Sequence, residues 1–209
     1  MSSELTTIWL LRHGQSQWNH EGRWQGQADI QLSELGRQQA HRVGQRLRRY
    51  QIEHLISSDA TRALETAQVV GSYLHLTPSP HAGLRESDIG AWTGLTSAEI
   101  KARFPEEWAA MNARADVARG GGETYSELRG RTWAVAQEAV ARHHGRSVLL
   151  VSHGTAIRAL ISAALGLDVF TMHNLWIGGN TALSRLRFRD GRFHLDLHND
   201  TAHLEEAEA

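Results

Sequence analysis

Cysteine is absent from the 209 residues, which removes disulfides, thiolate nucleophiles and cysteine-ligated zinc or iron–sulfur centres. An excess of one charge is also lacking. The 22 Lys and Arg against 23 Asp and Glu leave a net charge of −1, which gives no reason to expect a nucleic acid or an anionic membrane as partner. No apolar run approaches the roughly 20 residues that span a bilayer. Met1-Ser2-Ser3-Glu4-Leu5 lacks the basic-then-apolar pattern of a signal peptide. The expectation is a soluble cytoplasmic protein with no nucleic-acid or membrane partner. Recognisable metal motifs are missing too, despite 13 histidines. Most of these are scattered, as at His41, His54, His75 and His81, and no His-Glu-x-x-His pattern or carboxylate-rich loop is present. Neither a metal nor a cofactor is expected.

What is present is an ordinary globular composition, 41% hydrophobic and 22% charged, at a length that suits one domain. Thr7-Ile8-Trp9-Leu10-Leu11 reads as a buried strand that runs into Arg12-His13-Gly14. Ser147-Val148-Leu149-Leu150-Val151-Ser152 repeats the design and ends in His153-Gly154. Ligands of open α/β sheets bind beyond the carboxyl ends of the strands, so two such exits imply one shared site. Further elements alternate with these. A helix is expected from Ser33, its N-cap, to about Leu47, with Leu35, Ala40, Val43 and Leu47 on one face. A short strand follows at His54–Ser57, then a helix over about 61–74 that carries Arg62 in its first turn, where the helix dipole disfavours a cation. Helices are expected near 97–104, 105–112, 125–144 and 155–165, and a hairpin forms around Asp190-Gly191. Residues 15–30 read as a long loop.

This alternation, with a terminal hairpin, argues for a mostly parallel sheet covered on both faces. Residues 1–209 form one domain, with a small helical cap inserted at about 92–123 and a frayed tail over about 199–209. A simple outer packing layer is the alternative to the cap. Trp24, Trp92, Trp108 and Met111 serve either as an apolar substrate entrance or as packing.

The strand exits carry chemistry suited to a phosphoryl group. Arg12 and Arg62 supply planar forks that match phosphate oxygens, and a neutral imidazole is a competent nucleophile toward phosphorus. A second histidine, if protonated, adds charge and a donor. A leaving alkoxide needs a proton, and Glu86, in a turn bracketed by Gly83 and Gly90, is the candidate donor. Its alternative is a surface pair with Arg85. The N–H groups that open the helix after His153, at Gly154 and Thr155, are placed to meet an anion.

Leu11-Arg12-His13-Gly14-Gln15-Ser16 with Trp18-Asn19, then Leu32-Ser33-Glu34-Leu35-Gly36, Ser57-Ser58-Asp59-Ala60-Thr61-Arg62-Ala63 with Thr66-Ala67, Leu84-Arg85-Glu86 and Val151-Ser152-His153-Gly154 stand in this order. Together they resemble the histidine phosphatase superfamily, the phosphoglycerate-mutase-like group. The resemblance implies a three-layer α/β/α sandwich on a mostly parallel, roughly six-stranded sheet with a small helical cap, and metal-independent catalysis through a phosphohistidine on His13. It implies Arg12 and Arg62 as phosphate ligands, His153 as the second histidine and Glu86 as general acid. Asn19, Gln25 and Gly26 become candidate phosphate or substrate contacts by family position. Mutases of the group carry a motif like Glu-Arg-His-Tyr-Gly, whereas this chain has Glu86-Ser87-Asp88-Ile89-Gly90. The departure points to a phosphomonoesterase of histidine acid phosphatase type, acting on a small phosphorylated metabolite. A mutase, a non-catalytic phospho-ligand binding module and a histidine-rich metalloenzyme are the competing functions. A homodimer is left open.

Overall fold

The computed structural model describes residues 4–205. Six strands form one sheet: β1 Thr6–Arg12, β2 His54–Ser57, β3 Ser79–Pro80, β4 Ser147–Ser152, β5 Leu183–Arg189 and β6 Arg192–Asp200, in the spatial order β3-β2-β4-β1-β5-β6. The pairings among β1, β2, β3 and β4 are parallel, and those of β1 with β5 and β5 with β6 are antiparallel. The sheet is mostly parallel, as the sequence implies. Strand β1 takes a central place because both its faces are apolar. Ile8 and Leu10 pack on one side with Val148, Leu150, Ile157 and Leu160, and Trp9 and Leu11 pack on the other with Val43, Ala63, Val70 and Leu149.

Helices cover both faces. On one side lie α2 Glu34–Leu47 and α3 Thr61–Leu74, and on the other α6 Tyr125–Arg142 and α7 Gly154–Ala164. Ser33 caps α2 by accepting the Gly36 N–H. Thr124 and Glu127 cap α6 reciprocally, which fixes where it begins after the glycine run. Leu35, expected on the buried face of α2, is exposed, and Gly36 takes that place because the helix approaches backbone there. The expected loop after His13 contains a short helix, α1 Gln17–His20, started by a Ser16–Asn19 capping box. Helices α4 Ser97–Arg103 and α5 Pro105–Asn112 stand where predicted and enclose Trp92 and Ile100, with Trp24, Phe104, Trp108 and Met111 packed around them.

Strand β3 escaped the sequence because it is only two residues long. It ends in Pro80 at the sheet edge, where a missing N–H costs no ladder bond. The frayed tail expected from residue 199 also needs correction. Asp200 belongs to β6 and is held by Arg46, and His203 is buried against Thr181. Residues 206–209 of that tail lie outside the described residues. Among the described residues no helix is long and apolar enough to cross a membrane.

Candidate active site

Strands β1 and β4 are parallel neighbours, with Arg12 opposite Ser152. Their exits therefore deliver His13 and His153 side by side, with ring centroids 5.1 Å apart. The two rings are almost wholly buried. For both, burial and the charges of Arg62 and Arg12 push the pKa well below the ordinary histidine value, and for His153 the His13 ring adds to this. Both imidazoles are neutral. The protonated second histidine considered from sequence is not the state this environment favours.

The tautomer of His13 follows from its partner. Nδ1 lies 2.7 Å from the Gly14 carbonyl oxygen, which only accepts, so Nδ1 carries the proton and Nε2 the lone pair. His153 Nε2 lies 2.9 Å from Ser58 Oγ, and its Nδ1 has no hydrogen-bond partner among the described residues. The Ser58 hydroxyl also accepts the Ala60 N–H.

Arg12 and Arg62 flank the histidines, and both hang on carbonyls rather than carboxylates. Arg12 Nη1 donates to Ile177 and Gly178, each at 3.1 Å. Arg62 Nη1 and Nη2 donate to Ala28 at 2.7 Å and Gly26 at 2.8 Å. Arg62 is 1% exposed, and burial lowers its pKa to about 10, with Glu86 opposing the shift. It stays cationic at neutral pH. The first turn of α3 tolerates it because Ala60 offers no side-chain cap and Asp29 accepts the Thr61 N–H instead.

Glu86 does not pair with Arg85, which bridges to Asp59 with two bonds of 2.7 Å. Its carboxylate sits at the start of α7 and accepts N–H bonds from Thr155 at 3.1 Å and Ala156 at 3.2 Å, and from Ser87 at 2.8 Å. The helix opening expected to meet an anion meets this one. Arg131 fixes the turn by donating to the carbonyls of Gly83, Arg85 and Glu86, and is itself paired with Glu123.

A cavity of about 250 Å³ is lined by Arg12, His13, Asn19, Gln25, Gly26, Arg62, Glu86 and Thr155. His153, fully buried, is not among the residues that line it. Gly154 does not line the cavity; a Cβ there would lie 3.6 Å from Arg12 Nε. Asn19 Oδ1 is taken by Ser16 and Asn180, which leaves its amide donors for a ligand, and Gln25 Oε1 faces Ser16 Oγ at 2.7 Å. Gly26 contributes a carbonyl that orients Arg62, and the Thr155 N–H is engaged by Glu86. Of the tryptophans considered for an entrance, Trp24 lines the cavity, while Trp92 is fully buried in the cluster behind it.

Sequence reasoning missed Arg119 and Asn180. Arg119 lines the cavity from what reads as a flexible glycine run. Asn180 Nδ2 donates to the His13 carbonyl at 3.1 Å and to Asn19 at 3.2 Å from the loop before β5. Neither follows a strand or carries a motif, so only their surroundings reveal them. Among the described residues no three His, Asp or Glu side chains converge as a metal-ligand set.

A family model described as histidine phosphatase superfamily (branch 1) matches residues 8–201. The phosphoglycerate mutase-like protein 4 of Arabidopsis thaliana is 36% identical over 204 residues, covering 95% of this chain and 87% of its own. A probable phosphoglycerate mutase of Salmonella choleraesuis is 35% identical, covering 89% of this chain and 86% of its own. Among solved structures, a mycobacterial glucosyl-3-phosphoglycerate phosphatase complexed with VO3 superposes with a TM-score of 0.87 at 37% identity, covering 92% of this chain and 98% of that one. The phosphoserine phosphatase of Entamoeba histolytica, in complex with 3-phosphoglyceric acid, gives a TM-score of 0.84 at 27% identity over 95% of this chain and 99% of that one.

Proposed function

Since the chain belongs to the histidine phosphatase superfamily, we propose that it is a metal-independent phosphomonoesterase that hydrolyses a small phosphorylated metabolite through a phosphohistidine on His13. The observation that carries this is the state of His13. It is a neutral imidazole with its lone pair on Nε2, set between two buried guanidiniums that no carboxylate within 4 Å neutralises among the described residues.

In the first step Nε2 attacks phosphorus, an N–P bond forms and the ester P–O bond breaks. Arg12 and Arg62 take the equatorial oxygens, where charge concentrates. His153 stands beside the His13 ring as a second neutral imidazole, and if Ser58 Oγ donates to its Nε2 the ring keeps an Nδ1–H. Of the described residues lining the cavity, Glu86 is the one carboxyl group, and it gives its proton to the leaving alkoxide. In the second step water attacks phosphorus, the N–P bond breaks, and the Glu86 carboxylate takes the proton released by the water. Inorganic phosphate leaves.

The names of the sequence relatives favour a mutase, in which a second substrate oxygen replaces water as the acceptor. The Ser87-Asp88-Ile89 run after Glu86 and the phosphatase neighbours favour water. One experiment addresses both. Phosphate release is followed from a set of alkyl and aryl phosphates and from 3-phosphoglycerate with 2,3-bisphosphoglycerate, for the wild type and for His13→Ala. Free phosphate should accumulate, an acid-labile phosphoenzyme should be trapped, and His13→Ala should lose about 10³-fold or more in kcat. Isomerisation without phosphate release would replace the phosphatase by a mutase, and full activity in His13→Ala would remove the nucleophile.

A further inference from the structure

The phosphoryl chemistry uses the side chain of His13 and leaves the turn that grips its carbonyl oxygen without a task. The Thr181 N–H donates to that oxygen at 3.2 Å, and Asn180 Nδ2 donates to it at 3.1 Å. The other Nδ2 proton of Asn180 goes to Asn19 Oδ1 at 3.2 Å. Both neighbours accept: one is a backbone carbonyl, and the other already takes the Ser16 N–H at 3.1 Å. The Asn180 amide therefore stands with its nitrogen, not its oxygen, toward them. One NH2 group spans the main chain of the nucleophile and a side chain 161 residues away in sequence.

The turn that brings Asn180 there is strained. Thr181 has a φ of +58°, and of the five non-glycine residues with positive φ among the described residues it alone is β-branched. A residue stays in such a conformation only when its surroundings over-determine it, and such residues gather at functional sites. Thr181 is wholly buried, and its hydroxyl donates to the Asn180 carbonyl at 2.7 Å and lies 2.9 Å from His203 Nε2. His203 is buried in a segment that Arg42 holds through the Leu204 carbonyl and Arg46 through Asp200. The end of the described chain thus buttresses the turn from behind.

Asn19 is the group that gains. It lines the cavity, its backbone N–H is bound by Ser16 Oγ, and its Oδ1 is held by two N–H donors. An amide with its oxygen fixed has only donors left to offer, and phosphoryl oxygens only accept. Rotated by half a turn, the same amide would set an oxygen against the anion.

Within the proposed phosphatase function, we propose that Asn180 is a positioning residue: it locks the Asn19 amide with its donors free for the phosphoryl group and ties that lock to the His13 main chain. Asn180 itself is not among the residues that line the cavity.

In Asn180→Ala the His13 carbonyl keeps the Thr181 N–H, so the loss falls on Asn19. Rates on para-nitrophenyl phosphate are compared for the wild type, Asn19→Ala, Asn180→Ala and the double variant. Asn180→Ala should lose about tenfold in kcat/KM, and the double variant should fall no more than about twofold below Asn19→Ala alone. Losses that multiply would mean that Asn180 acts apart from Asn19, and would overturn the proposal. A second readout is the Asn19 side-chain NH2 signal in nitrogen-15 correlation spectra, identified by its disappearance in Asn19→Ala. Inorganic phosphate should shift this signal in the wild type and not in Asn180→Ala; equal shifts in both, or a shift in neither, sink the idea. If the wild type turns over no ester, the phosphatase function fails, and the phosphate titration still decides the point. Should Asn180→Ala not fold, Asn180→Leu fills the same space without a donor, and the same outcomes apply.

Discussion

At His13 a backbone carbonyl holds one ring nitrogen as a donor and so leaves the other as a base. That carbonyl belongs to the next residue, Gly14, so the tautomer is written into two adjacent positions. Glu86 is set differently, by three N–H groups of which two come from α7, about 70 residues downstream. If it protonates the leaving group, Glu86→Gln should cost roughly 10²–10⁴-fold on alkyl phosphates and far less on aryl phosphates, whose leaving groups need little help. Steady-state rates over a leaving-group series check this, and a uniform loss would count against the assignment. The residues legible in the sequence, Arg12, His13, Arg62, Glu86 and His153, share a property. Each stands in or beside a short, recognisable pattern, four of them just past an apolar run. Arg119 and Asn180 stand in stretches of ordinary turn composition, and their partners Ser87, His13 and Asn19 lie far away in the chain. No local pattern encodes such contacts.

Among the elements, α2 shows why an N-cap block recurs beside the histidine loop. Ser33 N–H and Oγ both donate to the Gln15 carbonyl, and Gly14 donates to Thr66 on α3, so two helices grip the segment that leaves β1. Gly36 permits the approach, since a Cβ there would lie 2.0 Å from the Gln15 carbonyl oxygen. Gly36→Ala should therefore destabilise the fold by about 1–3 kcal/mol. It should also lower kcat by displacing His13, whereas a substitution at exposed Leu35 should do neither; thermal melts and phosphate release distinguish the two. The long elements were legible because period and caps agree, as in α2 and α6, or because period alone suffices, as in α3. The short ones, α1 and β3, were not. Four and two residues carry too little periodicity, and tertiary hydrogen bonds decide their state.

For the whole molecule, the buried histidines set the response to acid. His203 is pushed down to about 4 by burial first and then by Arg46, and His13 and His153 are lowered as well. The folded chain keeps these rings neutral while the unfolded chain binds protons below about 6.5, so stability rises with pH across that window and is lost as pH falls from 6.5 toward 4. The melting temperature should drop over that range, and His203→Gln should flatten the slope. An unchanged slope would show that His203 takes no part. The architecture as a whole was legible because the neighbouring parallel strands β1 and β4 are apolar on both sides. The anchoring of the last strand was not, because Arg46 reaches Asp200 across 154 residues.

Strand β1 is the first strand of the described chain yet lies between β4 and β5, which come far later in it. On a ribosome, Arg12 and His13 emerge and then wait for more than 130 other residues before a neighbouring strand exists on either side. Until then an apolar strand with two open edges is exposed, and closing such distant pairings is slow. The cavity lined by Arg12 and His13 therefore lacks its neighbouring strands until then. It comes into being when β4 and β5 are delivered, and a chain stopped short of β4 carries the histidine signature without its neighbouring strands.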